Sequence, residues 1–74
     1  MKIDYHNFGE RMMLARRRRK FTQQQLAHLV GVSPSHISDI ERGETNPAHS
    51  VVVDICTILD IPEPDALTVE HGEV

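Results

Sequence analysis

Two helix starts, separated by a glycine stop, lie between Thr22 and Arg42, and nothing else restricts the fold as strongly. Thr22 is an N-cap residue. Gln25 stands three positions on, where its amide can reach back to the cap in a capping box. Leu26, Ala27 and Val30 then fall on one face of a helix from Gln23 to about Val30. Gly31 sits where the backbone must turn with φ above zero. Ser33 is a second N-cap, and Pro34 follows at the first helical position, where its missing N–H leaves nothing unpaired. The next helix runs to about Arg42 with Ile37 and Ile40 inward, and Gly43 ends it. The connection Gly31-Val32 is too short for the two helices to lie side by side. They meet at a wide angle, held by Leu26, Val30, Ile37 and Ile40, with small Ala27 at the close approach.

The rest of the chain reads as helices too. No stretch alternates apolar and polar residues long enough to argue for a sheet. Phe8, Met12 and Ala15 recur at helical spacing and predict a first helix over about 6–19. Glu44-Thr45-Asn46-Pro47 is a loop. Val52, Ile55, Cys56 and Leu59 predict a fourth helix over about 49–60, which Pro62 and Pro64 break. A short fifth helix is expected near Glu63–Leu67, and a frayed, disordered tail at 70–74. With 74 residues and no internal repeat, the expectation is one all-α, compact domain of four to five helices over 1–69.

Composition closes off other classes. No apolar run approaches the length of a bilayer span, so no membrane partner is expected. Met1-Lys2-Ile3-Asp4 is not followed by an apolar stretch, so no secretory signal is expected. The single Cys56 has no partner for a disulfide or a zinc pair. A cytoplasmic location follows. With three aromatics (Tyr5, Phe8, Phe21) the core is aliphatic and small. Such cores supply only a few kcal/mol, so self-association would help.

The net charge of −3 argues against nucleic acid, where phosphate attraction dominates affinity. Its distribution argues the other way. Residues 1–50 hold all 8 basic residues and 5 acidic ones; residues 51–74 hold 6 acidic and no basic residues. Five basic residues are consecutive, Arg16 to Lys20. Such a run is either a solvated helix face or a footprint for phosphates.

Residues 22–42 form a helix-turn-helix pattern. From spacing alone, DNA binding and plain bundle structure are equally good readings. The stretch from Phe8 to Ile61, however, resembles the lambda-repressor-like (Cro/C1, xenobiotic-response-element type) helix-turn-helix family. The residues that carry this are Thr22-Gln23, Leu26-Ala27, Gly31-Val32-Ser33, Ile37-Ser38, Ile40-Glu41-Arg42-Gly43 and Asn46-Pro47. The resemblance implies four or five helices with the third, about Ser33–Arg42, in the DNA major groove.

It also implies roles. Gln23 and Gln24 open the second helix, where N–H groups and the dipole meet a phosphate; Gln23 has a second reading as a solvated polar residue. Ser33, Pro34, Ser35 and Asp39 hold the base-reading positions, with His36 nearer the backbone. Ser35 can serve any base, and Pro34 offers apolar contact to a thymine methyl. Asp39 either accepts from a cytosine amine or pairs with Arg42 at i+3. Arg42, Thr45 and Asn46 approach the DNA backbone, Asn46 having a second reading as a turn cap. Arg16 and Glu41 are implied as a partly buried ion pair, with Arg16 also within reach of phosphate. Arg19 is expected to lay its stem over the core.

Three departures stand out. Lys20 occupies a place the family usually gives to Gly, so a strained or differently closed turn is expected. Ala48 replaces the usual Ser or Thr cap, with Ser50 or Asn46 as substitutes. Pro34 and Asp39 are unusual base readers.

Catalysis finds no support. His6, His28, His36, His49 and His71 are scattered without an i, i+4 pair. There is no Gly-rich phosphate loop. Cys56 lies on an apolar stripe and reads as a core thiol. No catalytic residue, metal or cofactor is expected. The expected function is a DNA-binding transcriptional regulator, a repressor in type, acting as a homodimer on a palindrome. The fourth helix with Ile61, Leu67 and Val69 would supply the dimer surface, unless Ile61 and Leu67 are used up in the core. The alternative is an antitoxin-like module whose main work is binding a protein partner.

Overall fold

The computed structural model describes residues 3–61 and 68–69. Four helices follow one another: α1 (Tyr5–Arg18), α2 (Gln23–Val30), α3 (Pro34–Glu41) and α4 (His49–Leu59). The architecture is the all-α one expected, with one addition. β1 (Ile3–Asp4) pairs antiparallel with β2 (Thr68–Val69), Ile3 opposite Val69 and Asp4 opposite Thr68. Two residues per strand are too few for an alternation to register in sequence, and the partners lie at opposite ends of the chain. The expected fifth helix near Glu63–Leu67 and the tail at 70–74 fall outside the described residues.

One cluster fills the centre. Phe8, Met12 and Ala15 come from α1, Leu26 and Ala27 from α2, Ile37 and Ile40 from α3, and Val52, Ile55, Cys56 and Leu59 from α4. These are the periodic residues of each helix, so the amphipathic faces converge. Ile61 also packs on this cluster, which leaves little of it for a dimer surface.

All four helices end in the same way. Lys20, Gly31, Gly43 and Asp60 have φ of 61°, 89°, 74° and 55°. In each case the N–H of the next residue returns to a carbonyl one turn back: Phe21 to Arg16, Val32 to Ala27, Glu44 to Asp39 and Ile61 to Cys56. This is the Schellman closure. Phe21, Val32 and Ile61 are apolar and pack against the core, so three of the four closures also anchor the following loop. At Lys20 a β-carbon-bearing residue holds a conformation that glycine adopts freely. Of the two turns expected there, this is the strained one.

The start of α4 differs from expectation. Ala48 is its N-cap and no side chain caps it, so neither Ser50 nor Asn46 substitutes. The helix is held by its core face instead.

Candidate nucleic-acid interface

Local chemistry sets the two helices of the motif. The Gln25 N–H donates to Thr22 Oγ1 at 2.9 Å, and the Thr22 N–H donates to Gln25 Oε1 at 2.8 Å. This box satisfies part of the first turn of α2, while Gln23 and Gln24 stand at its open end. Ser33 caps α3 by accepting from the His36 N–H at 3.1 Å. The Ser33 hydroxyl also lies 3.5 Å from that of Ser35. Pro34 takes the first helical position.

Along α3, Ser35, Asp39 and Arg42 recur at i, i+4 and i+7, which places them on one stripe. Ile37 and Ile40 point the opposite way and are fully buried. Ser33, Pro34, Ser35 and Arg42 are exposed, and His36 and Asp39 are half-buried. Beyond the helix, Thr45 is half-buried and Asn46 exposed, next to buried Pro47.

A buried polar network locks this unit to α1. Arg16 Nε donates to Glu41 Oε2 at 2.6 Å, and a second guanidinium nitrogen donates to Oε1 at 3.2 Å. The third nitrogen donates to the Phe21 carbonyl at 2.8 Å. The two side chains retain 10% and 3% exposure. Each guanidinium nitrogen of Arg16 is thus engaged within the network, which gives the residue a structural role. Gln23 joins the same network: its amide donates to Glu41 Oε1 at 2.9 Å. It is therefore not a merely solvated residue. The buried carboxylate receives three hydrogen bonds, the compensation a buried charge requires.

The basic run thus divides by task. Arg19 Nε donates to the Leu59 carbonyl at 2.9 Å, and its terminal nitrogen lies 3.5 Å from Asp60. Arg19 caps the C-terminus of α4 rather than only covering the core. Arg17, Arg18 and Lys20 are exposed. Asp39 meets Arg42: the guanidinium donates to Asp39 Oδ1 at 2.6 Å, to Glu44 Oε1 at 3.3 Å and to the Ser38 hydroxyl.

Gly9 belongs to no sequence motif, yet it is buried at the crossing of α1 and α3. A β-carbon there would lie 2.9 Å from the Glu41 carbonyl oxygen and closer still to that of Ile40. The crossing brings Arg16 within reach of Glu41. The one sequence signal for it is a glycine inside a helical apolar pattern, which often marks a close approach. Among the described residues, no group of His, Cys, Asp and Glu is arranged to hold a metal ion, and no helix is long and apolar enough to cross a membrane.

Comparisons with known proteins agree on the family of this arrangement. A helix-turn-helix family profile matches residues 12–65. The immunity repressor protein of Bacillus phage phi105 is 40% identical over 53 residues, 72% of this chain and 37% of the repressor. This chain therefore spans little more than a third of that relative. The uncharacterized HTH-type transcriptional regulator YazB of Bacillus subtilis is 32% identical over 54 residues, 73% of this chain and 78% of YazB. Among solved structures, the restriction-modification controller protein C.AhdI from Aeromonas hydrophila superposes with a TM-score of 0.77 at 30% identity. That match covers 85% of this chain and 96% of the controller.

Proposed function

We propose that this chain, which belongs to the Cro/C1-type helix-turn-helix family, binds double-stranded DNA sequence-specifically and regulates transcription. The observation that carries the proposal is the polar stripe of Ser35, Asp39 and Arg42. It is presented by a helix whose other face is fully buried and whose end is tied to α1 through Glu41. A helix so fixed can enter a major groove as a rigid body. Ser33, Pro34, Ser35 and Asp39 meet base edges, and His36 lies nearer the backbone.

Backbone contacts frame that stripe. The free N–H groups of Gln23 and Gln24 at the open end of α2 suit a phosphate. Gln23 brings them there with its amide held by Glu41, which leaves one amide N–H to donate. Arg42, Thr45 and Asn46 suit the backbone beyond α3. The name of one relative, an immunity repressor, favours repression of a promoter. A single head of this size reads few base pairs, so two copies on a palindrome are proposed. The stripe is polar and charged, which suits DNA better than the apolar docking of a protein-binding module.

Selection of bound duplexes from a random pool tests this. The expected product is a palindrome with half-sites about one helical turn apart. Absence of any enriched sequence, together with no binding to duplex at low salt, would refute the proposal.

A further inference from the structure

Arg42 leaves α3 into a ring of acceptors. Asp39 lies 2.6 Å and Glu44 3.3 Å from one of its terminal nitrogens, and Ser38 accepts from the other. The three charged side chains keep 54%, 43% and 60% exposure for Arg42, Asp39 and Glu44, so a phosphate could reach them. Glu44 is positioned by backbone. Gly43 turns with φ of 74°, and the Glu44 N–H donates to the Asp39 carbonyl at 2.9 Å. The helix closure therefore folds the chain back and returns the Glu44 carboxylate to the guanidinium. The hydrogen bond and charge of Glu44, with the charge of Asp39 adding, raise the Arg42 pKa. The group stays cationic, and alkaline pH does not open the cluster.

One cation between two carboxylates leaves a net negative charge at the end of α3. A phosphate that takes Arg42 leaves both carboxylates beside the DNA backbone, unpaired. That cost falls only when Asp39 finds another donor, and the exocyclic amine of cytosine in the major groove is one. We infer that Asp39 and Glu44 form a clamp on Arg42 that makes its phosphate contact conditional on sequence, with Glu44 the specificity-determining residue that keeps the clamp shut on unmatched DNA. This rests on the DNA-binding function proposed above. On random sequence Arg42 stays with its carboxylates. On a matched sequence Asp39 turns to a base, and Arg42 goes to the backbone.

The test measures binding of the full chain to a random-sequence duplex by fluorescence anisotropy across a salt series. It compares wild type, Glu44→Gln, Arg42→Ala and the double variant. Glu44→Gln is expected to bind about two- to fivefold more tightly, the range of exposed ion pairs. Its log–log salt slope should steepen by about one, for one added phosphate contact. The double variant should lose the Glu44→Gln gain. A Glu44→Gln slope equal to that of wild type overturns the clamp, and so does a gain that persists in the double variant. Wild-type binding with either result leaves the DNA reading intact, whereas no binding by any of the four at low salt overturns that reading itself.

Discussion

Replacing Gly9 by alanine should destabilise the domain, although the same change at an open helical position stabilises it. Alanine gains about 0.8–1 kcal/mol over glycine inside a helix. Against that, the new β-carbon would sit 2.9 Å from the Glu41 carbonyl oxygen and nearer still to that of Ile40. Both obstacles are backbone, so neither yields by a rotamer change. α1 and α3 would have to separate. Overpacking costs typically 1–3 kcal/mol, and two backbone obstacles place this site at about 3 kcal/mol. The net expectation is a loss of about 2 kcal/mol after the helical gain. In thermal unfolding followed by circular dichroism, that corresponds to a fall in Tm of about 8–16 °C for a domain of this size. The same separation would pull Arg16 from Glu41, so DNA binding should weaken along with stability. A Gly9→Ala protein that melts at or above the wild-type temperature would refute the packing of α1 on α3 described here.

Other substitutions probe separate parts of the account. Arg16→Met leaves Glu41 buried without its ion-pair partner and should cost about 3–5 kcal/mol, read by urea denaturation; most of a small domain's stability would be lost. Lys20→Gly relieves the positive φ of 61°, and with part of the gain returned through unfolded-chain entropy, Tm should rise by a few degrees, about 0.5 kcal/mol. Asp39→Asn should shift the base enriched at its position from cytosine toward adenine in a repeated duplex selection, because an amide can pair with both adenine N6 and N7.

Much of the fold is legible in the sequence because its signals are local. Thr22 with Gln25, Gly31, and Ser33 with Pro34 are chemical instructions within one turn of the residues they affect. The apolar residues of α1 and α4 repeat at the helical period, and they are the ones found in the core. The outward face of α3 follows from the same periodicity, but the roles proposed for Ser35, Asp39 and Arg42 rest on the family resemblance and not on spacing. What escapes such reading joins distant parts of the chain. Gln23 meets Glu41 across 18 positions, and Arg19 meets the Leu59 carbonyl across 40. No spacing rule reports such pairs, since they depend on how helices pack rather than on how they start and stop. The contact of Gly9 with α3 is of the same kind. The β1–β2 pair escapes because two residues leave no pattern to read. Ala48 shows the converse: a local signal is missing, and core burial of α4 makes up for it.

The measurement that tests the central claim most directly is amide chemical-shift mapping by NMR while duplex DNA is added at low salt. Perturbations are expected at Gln23 and Gln24, through Ser33 to Asp39, and at Arg42 to Asn46, with the exposed residues Asp54 and Thr57 of α4 unmoved. Shifts centred on α4, or none in α3 while the duplex is bound, would contradict that claim.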